Sequence, residues 1–152
     1  MAIFAHTSVS TTADSLQAGR ELGQTLATQG RELELVLTYL TMNHDHAAYL
    51  RGLREALGER VSVLGCSAQG VVGRNFVREQ GYAAGVLGLG GLGASAAMVE
   101  DISADSSAKG EQLGRALLAQ LSAPPKAVVL HYDALCGVDP ERFVAGLYRV
   151  VE

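Results

Sequence analysis

The chain has 152 residues, of which 48% are apolar and 18% charged, a balance that predicts one folded domain rather than a disordered segment. Its net charge of −4 and its lack of a basic run argue against binding to nucleic acid or to an anionic membrane. No apolar run approaches the roughly 20 residues that cross a bilayer, so no membrane span is expected. Two cysteines far apart in the sequence are typical of a reduced, cytoplasmic protein.

The first half of the sequence predicts alternating strands and helices. Strands are expected at Ala2–Val9, Leu33–Leu40 and Arg60–Leu64, where apolar and β-branched residues are concentrated. Helices are expected over Thr12–Gln29 and Asp45–Leu57, because each has leucines at helical spacing and a glycine directly after its end. Such alternation is typical of α/β domains.

The pattern of the first half recurs at a constant offset of 91 residues. TADSLQAGRELGQTLATQ (Thr12–Gln29) aligns without a gap with SADSSAKGEQLGRALLAQ (Ser103–Gln120), and eight of these 18 positions are identical. A strand at Val128–Tyr132 and a helix opened by Asp139 and Pro140 continue the second copy. Two amphipathic helices that share leucines by chance are the alternative. We therefore expect an α/β fold in which a mixed β-sheet is flanked by helices and built from a duplicated βαβαβ unit.

The duplication predicts a single domain with three parts: copy one at about residues 1–75, a connecting β-hairpin at about 76–93, and copy two at about 94–152. Copy two ends before an equivalent of the third strand, so we expect it to be incomplete and the chain to be a fragment of a longer protein. The glycines of Gly88–Gly93 fit the dinucleotide pattern G-x-G-x-x-G, but that fingerprint needs a helix directly afterwards. Ala94–Val99 is strand-like instead, so we interpret the glycines as a hairpin turn and expect no cofactor; a nucleotide site is the alternative.

Two segments carry a resemblance to a known family. VLGCSAQGVVG (Val63–Gly73) resembles the G-C-S-T-x-G-E-I motif of FIST domains, named for F-box and intracellular signal transduction proteins. VVLHYDALCGVDPERFVAGLYRVV (Val128–Val151) resembles that family's later strand, D-G-L-x-G loop and helix. The resemblance implies a cytoplasmic sensory domain that binds a small ligand, with amino acids as the suggested class, and signals to an output domain or partner protein. Ala68 and Val71 replace the family's Thr and acid, so no role of that acid carries over.

Candidate ligand-binding residues lie where predicted strands end. The glycine-flanked turn Gly65–Gly70 is expected to form a backbone nest for an anionic group, to which Ser67 and Gln69 add donors. Asp133 is the candidate for a cationic group. For both features, an ordinary turn that satisfies its own backbone is the alternative. The predicted ligand-binding residues are Ser8, Gly65, Cys66, Ser67, Gln69, Gly70 and Asp133.

Cys66 is the candidate nucleophile if the chain is an enzyme. A reactive thiol needs a base within reach, and His6 and His131 are the histidines expected on strands. A half-buried thiol beneath a glycine turn is the interpretation we favour, so an enzyme is not expected; catalysis by Cys66 and a protein-interaction role are the alternatives. His44 and His46 face different ways at a predicted helix start, so no metal site is expected there.

Overall fold

The structure of the chain is a computed structural model that describes residues 2–152. The chain divides into two compact units, of which the first ends at Ala94 and the second begins at Ser95. Each unit has its own cluster of buried apolar side chains.

Strands and helices alternate in the first unit and are followed there by three further strands. In chain order they are β1 (Phe4–Ser10), α1 (Ser15–Ala27), β2 (Leu35–Thr41), α2 (His46–Leu57), β3 (Ser62–Ala68), β4 (Val71–Gly73), β5 (Phe76–Arg78) and β6 (Ala84–Gly90). The four long strands form a sheet of order β1-β6-β2-β3. In this sheet β2 and β3 are parallel, whereas β6 runs antiparallel to both β1 and β2. The expected mixed sheet of an α/β fold is therefore confirmed.

Helices α1 and α2 pack together and bury their apolar residues against the sheet. Leu22 and Leu26 of α1, Leu53 of α2, and Val36 and Leu40 of β2 belong to one buried cluster. Leucines at helical spacing and alternate residues of a strand supply this core, as the sequence pattern predicts.

The two helices cross where glycines let their backbones touch. A Cβ atom at Gly19 would overlap the carbonyl oxygen of Tyr49 and lie 2.8 Å from the amide nitrogen of Leu53. A Cβ atom at Gly52 would likewise overlap the carbonyl oxygen of Leu16. Any larger side chain at these positions would force the helices apart.

Aspartate side chains begin both helices. Asp14 Oδ1 accepts a hydrogen bond from the Gln17 amide, and Asp45 Oδ1 accepts one from the Ala48 amide. These caps satisfy amides that have no partner inside the helix. Ser15 joins the two helix starts, since its hydroxyl oxygen accepts a hydrogen bond of 3.0 Å from the Asp45 amide.

A short hairpin formed by β4 and β5 follows β3. Its turn contains Asn75, which adopts the left-handed conformation with φ of 60°. The side chain of Val71 in β4 is buried and approaches Gly85 of β6. Because Val86 belongs to the cluster on the helix side, its neighbour Gly85 faces the opposite side, and β4 therefore covers part of the sheet face away from the helices.

The connecting hairpin expected at about residues 76–93 takes a different form. The observed hairpin runs from Val71 to Arg78, and Gly88 lies within β6, which pairs in the sheet rather than forming a turn. Gly91 and Gly93, with φ of 74° and 68°, form the turn that follows β6. Ala94–Val99, expected to be the next strand, belongs to no strand among residues 2–152, so this turn does not join two strands.

The second unit contains a helix pair, α3 (Ser106–Leu118) and α4 (Pro140–Val151). Its buried cluster is formed by Leu113 of α3 with Phe143 and Leu147 of α4. The strand expected at Val128–Tyr132 is not assigned, and no strand is assigned anywhere in residues 95–152. A β-strand requires a hydrogen-bonded neighbour, and Leu130 packs instead against the cluster of the helix pair.

The helix pairs of the two units repeat the same contacts. In the second pair a Cβ atom at Gly110 would overlap the carbonyl oxygen of Phe143 and lie 2.8 Å from the amide nitrogen of Leu147. The Ser106 hydroxyl oxygen accepts a hydrogen bond of 3.0 Å from the Asp139 amide, as Ser15 does from Asp45 in the first pair. Helix starts, caps and crossing points thus correspond, whereas the strands of the second copy do not; the complete βαβαβ duplication with its incomplete second copy stays a prediction.

Candidate functional site

The predicted ligand segment is extended where a turn was expected. Gly65, Cys66 and Ser67 belong to β3, which pairs with β2 as far as Ala68, and the chain bends only at Gln69. Gly65 and Gly70 are both absent from the residues with positive φ in the described chain. The anion-binding nest expected here would normally use that conformation, so the donors of this segment are side chains rather than converging amides.

Polar side chains are exposed at the carboxyl end of β3. Cys66, Ser67 and Gln69 are exposed, and within residues 2–152 their side chains make no hydrogen bond to the rest of the chain. Because β2 and β3 are parallel, Thr41 at the end of β2 lies opposite Ala68. The two parallel strands therefore end side by side, where α/β sheets commonly bind ligands. The uncommitted groups belong to β3 and the residue after it, because the buried Thr41 hydroxyl donates to the Gly81 carbonyl oxygen and accepts from the Ala83 amide.

Gly65 and Gly70 are required by close backbone approaches. A Cβ atom at Gly65 would overlap the carbonyl oxygen of Thr38 in the neighbouring strand. A Cβ atom at Gly70 would lie 2.8 Å from the carbonyl oxygen of Arg78 and 3.2 Å from the Cα atom of Glu79. The two glycines therefore fix the path of the backbone on either side of the exposed residues.

Ser8 lies at the other side of the sheet from this segment. Its partner in β6 is Val86, which pairs with Thr38 of β2, which in turn pairs with Gly65 of β3. At about 4.8 Å per strand, three steps place Ser8 roughly 14 Å from Gly65. The register gives His6 the same three-strand separation from β3, so His6 is not a base for Cys66.

Asp133 belongs to the second unit, where it organises its own loop. Its carboxylate oxygen Oδ1 accepts a hydrogen bond of 2.8 Å from the Leu135 amide. Its carbonyl oxygen accepts a hydrogen bond of 3.0 Å from the Cys136 thiol. The bond from the amide two residues later to the Asp133 carboxylate is that of an Asx-turn. The side chain is exposed, and its role towards a cationic ligand group stays a prediction.

A carboxylate-binding nest does exist, but at the turn after β6. The amides of Gly91, Leu92, Gly93 and Ala94 all donate to the carboxylate of Glu34, at 3.0, 3.2, 2.8 and 3.1 Å. The positive φ angles of Gly91 and Gly93 turn successive amides to one side, as such a nest requires. The glycine-rich run therefore binds an anion, and that anion is a side chain of the same chain.

These hydrogen bonds lower the pKa of the Glu34 carboxyl group. The largest contribution comes from the Ala94 amide, and those of Gly91, Gly93 and Leu92 add to it, while partial burial acts in the opposite direction. Sequence reasoning missed this site because Glu34 precedes the nest by more than fifty residues. The pair of glycines in Gly91–Gly93 was the available signal, since alternating glycines permit the backbone conformation of a nest.

A buried histidine lies at the start of α2. His44 is 4% exposed, and its Nδ1 atom lies 3.1 Å from the hydroxyl oxygen of Ser15. The rings of Tyr82 and Tyr49 lie 5.2 and 6.0 Å away, between centroids. The Nε2 atom is buried without a hydrogen-bond partner among the described residues. Burial, and then the nearby His46, lower the pKa of His44.

Three further features of residues 2–152 concern metal-ligand clusters, membrane-spanning helices and disulfide bonds. Within residues 2–152, no three side chains of His, Cys, Asp or Glu lie close enough to hold a metal ion. None of the helices in this part of the chain is long and apolar enough to cross a bilayer. Cys66 and Cys136 are both exposed and free of disulfide bonds.

Comparison with known families identifies the class of this protein. A family model described as the FIST N domain matches residues 34–152, which include β3 with its exposed end and the Glu34 nest. The chain therefore belongs to the FIST N domain family, a family of sensory domains in signal transduction. No curated protein matches the chain.

Proposed function

We propose that this chain is a cytoplasmic sensory domain that binds a small ligand, with amino acids as the expected class, at the carboxyl ends of β2 and β3. The observation that carries the proposal is the exposed, uncommitted set of Cys66, Ser67 and Gln69 at that edge. The Ser67 hydroxyl and the Gln69 amide are donors that suit a carboxylate. Membership in a family of signal-transduction sensory domains supports a binding role whose signal passes to an output domain or partner protein.

In this proposal Cys66 does not attack the ligand, because its side chain alternates with that of Ser67 along β3 and faces the opposite side of the sheet. A nucleophilic thiol would need a nearby base, and His6 is three strands away in the sheet. A Cys66→Ser variant should therefore bind the ligand with nearly unchanged affinity, and Cys66 should react slowly with iodoacetamide. Rapid, stoichiometric alkylation of Cys66, together with a catalytic activity that Cys66→Ser abolishes, would instead support an enzyme.

Isothermal titration calorimetry against a panel of amino acids tests the proposal. We expect saturable heat for one or a few of them. Ser67→Ala should weaken that binding about three- to tenfold, since one hydrogen bond contributes about 0.5–1.5 kcal/mol. Ser62→Ala, at the opposite end of the same strand, is the matched control and should leave the affinity unchanged. An equal loss in both variants, or no heat across the panel, would contradict an amino-acid site at this edge.

A protein-interaction role is the second candidate, because β3 is an edge strand. It pairs with β2 on one side, and in the described chain no strand pairs with its other side. An exposed edge can accept a strand from a partner. Analytical ultracentrifugation separates the two candidates. A monomer that binds a small molecule supports the sensory proposal, whereas self-association or complex formation that an edge charge (Ser67→Lys) abolishes supports the interaction module.

A further inference from the structure

The hydrogen bonds around His44 are compatible with a neutral side chain. The Asp45 amide donates to the Ser15 hydroxyl oxygen, so the hydroxyl hydrogen is available for the Nδ1 atom of His44. In that arrangement the imidazole is neutral and carries its own hydrogen on Nε2. Because Nε2 is buried without a partner among residues 2–152, this N–H group is an unsatisfied donor. Leaving such a donor unpaired is unfavourable, so the position requires an explanation beyond packing.

Among residues 2–152, no negatively charged group contacts the His44 ring to stabilise its protonated form. The group of α1 that faces the His44 ring is the Ser15 hydroxyl. The groups of α2 near the His44 ring are His46, which opposes its protonation, and the Tyr49 ring. The group from the segment before β6 is the Tyr82 ring.

The neighbouring carboxylate, Asp45, is committed to the start of α2, where it accepts the hydrogen bond from the Ala48 amide. Protonation of His44 would therefore place an uncompensated charge between two helix starts.

The second helix pair shows that the fold does not need a histidine here. There the bond from Asp139 to Ser106 is the same, but the residue before the aspartate is Val138, which packs with the apolar cluster. The Ser106 hydroxyl donates to the Ile102 carbonyl oxygen instead of to a ring. The serine–aspartate bond thus belongs to the repeated helix pair, whereas the buried imidazole belongs to the first pair alone.

We propose that His44 is a proton-sensing switch that loosens the joined starts of α1 and α2 when it is protonated. The His44 amide donates to the carbonyl oxygen of Thr41 at the end of β2, so the switch adjoins the carboxyl edge of the sheet. A charged ring displaces the Ser15 hydroxyl hydrogen and strains the bond that joins the two helices. Proton sensing at His44 does not depend on ligand binding at β3.

The direction of the pH effect follows from the lowered pKa of His44. The unfolded chain binds a proton near the ordinary histidine range, whereas the folded chain resists it, so stability is complete above that range and falls as pH decreases through it. We expect the unfolding equilibrium constant in urea to rise severalfold between about pH 7.5 and about pH 5.5. His44→Val, which introduces the residue of the second helix pair, should abolish most of that rise. His46→Val, at an exposed position two residues away, is the control; it removes the smaller of the two influences on His44 and should retain most of the rise.

Two outcomes would overturn the proposal. One is an equal pH dependence of unfolding in the wild type and in His44→Val. The other comes from the wild-type protein alone, which avoids any folding defect of the variant: an NMR titration that gives His44 a pKa at or above the ordinary histidine range removes the switch. A His44 resonance that titrates below the ordinary histidine range, with Ser15 and Asp45 amide shifts that follow it, supports the switch.

Discussion

Replacing Glu34 with alanine removes the anion from the nest and should loosen the turn locally. Four amides lose a charged acceptor, but those of the exposed Leu92 and Gly93 exchange it for water at little cost. The amides of Gly91 and Ala94 are half-buried, and the loss of the carboxylate acceptor destabilises the closed turn by about 1 kcal/mol for each amide, or about 2 kcal/mol in total. Since 1.36 kcal/mol corresponds to a factor of ten, amide exchange in this turn should accelerate about 30-fold.

Hydrogen exchange measured by NMR at single residues is the assay. Glu32→Ala removes the same charge two residues away, from an exposed side chain outside the nest, and serves as control. The lowered pKa means that Glu34 stabilises the turn above the ordinary carboxyl range, and that this contribution is lost as pH falls through the lowered value. Sodium formate should slow exchange in Glu34→Ala but not in the wild type, because formate can occupy the vacant nest. Equal exchange rates in the Glu34 and Glu32 variants would refute this account of the turn.

Two further predictions concern the helix pairs and are checked by urea unfolding. Tyr49→Phe should lower the free energy of unfolding by about 1 kcal/mol, because it removes one hydrogen bond of 2.8 Å between the Tyr49 and Thr38 hydroxyls. Thr38 keeps its hydrogen bond to a carbonyl oxygen of β6. A loss above about 3 kcal/mol would show that the Tyr49 hydroxyl does more than donate one hydrogen bond. Gly19→Ala and Gly110→Ala should each lower the free energy of unfolding by about 1–3 kcal/mol, since each added methyl group overlaps the backbone of the facing helix. Gln24→Ala, at an exposed position of α1, is the control and should change it by less than about 0.5 kcal/mol. If the glycine variants lose no more free energy of unfolding than Gln24→Ala, the backbone contact is contradicted.

The helices were predictable because their signals are local. Asp45 and Asp139 lie where the sequence predicts helix starts, and the observed helices follow directly after them. Apolar spacing within each helix also identified the buried face. Such signals involve residues within one or two turns of each other, so no knowledge of the remaining chain was needed.

The sheet order and the nest were not predictable because they depend on distant pairings. Nothing near β6 indicates that it inserts between β1 and β2, and its glycines were interpreted as a turn for that reason. The partner of the Gly91–Ala94 amides is Glu34, far away in sequence. Gly65 was assigned to a turn, but it lies in β3, where the absence of a side chain permits the close approach to Thr38 of β2. The ligand role of Cys66 and Ser67 stays a prediction.

The central place of β6 determines the order in which the first unit can be completed during synthesis. Among residues 2–152, β1 pairs with β6 and with no other strand, so Phe4 has no pairing partner until Gly90 has been made. While the ribosome makes the intervening residues, β1 has no neighbour, and β2 can join only β3. The nascent chain therefore carries β1 unpaired until β6 emerges, and chaperones that hold extended segments are expected to bind β1 during that interval.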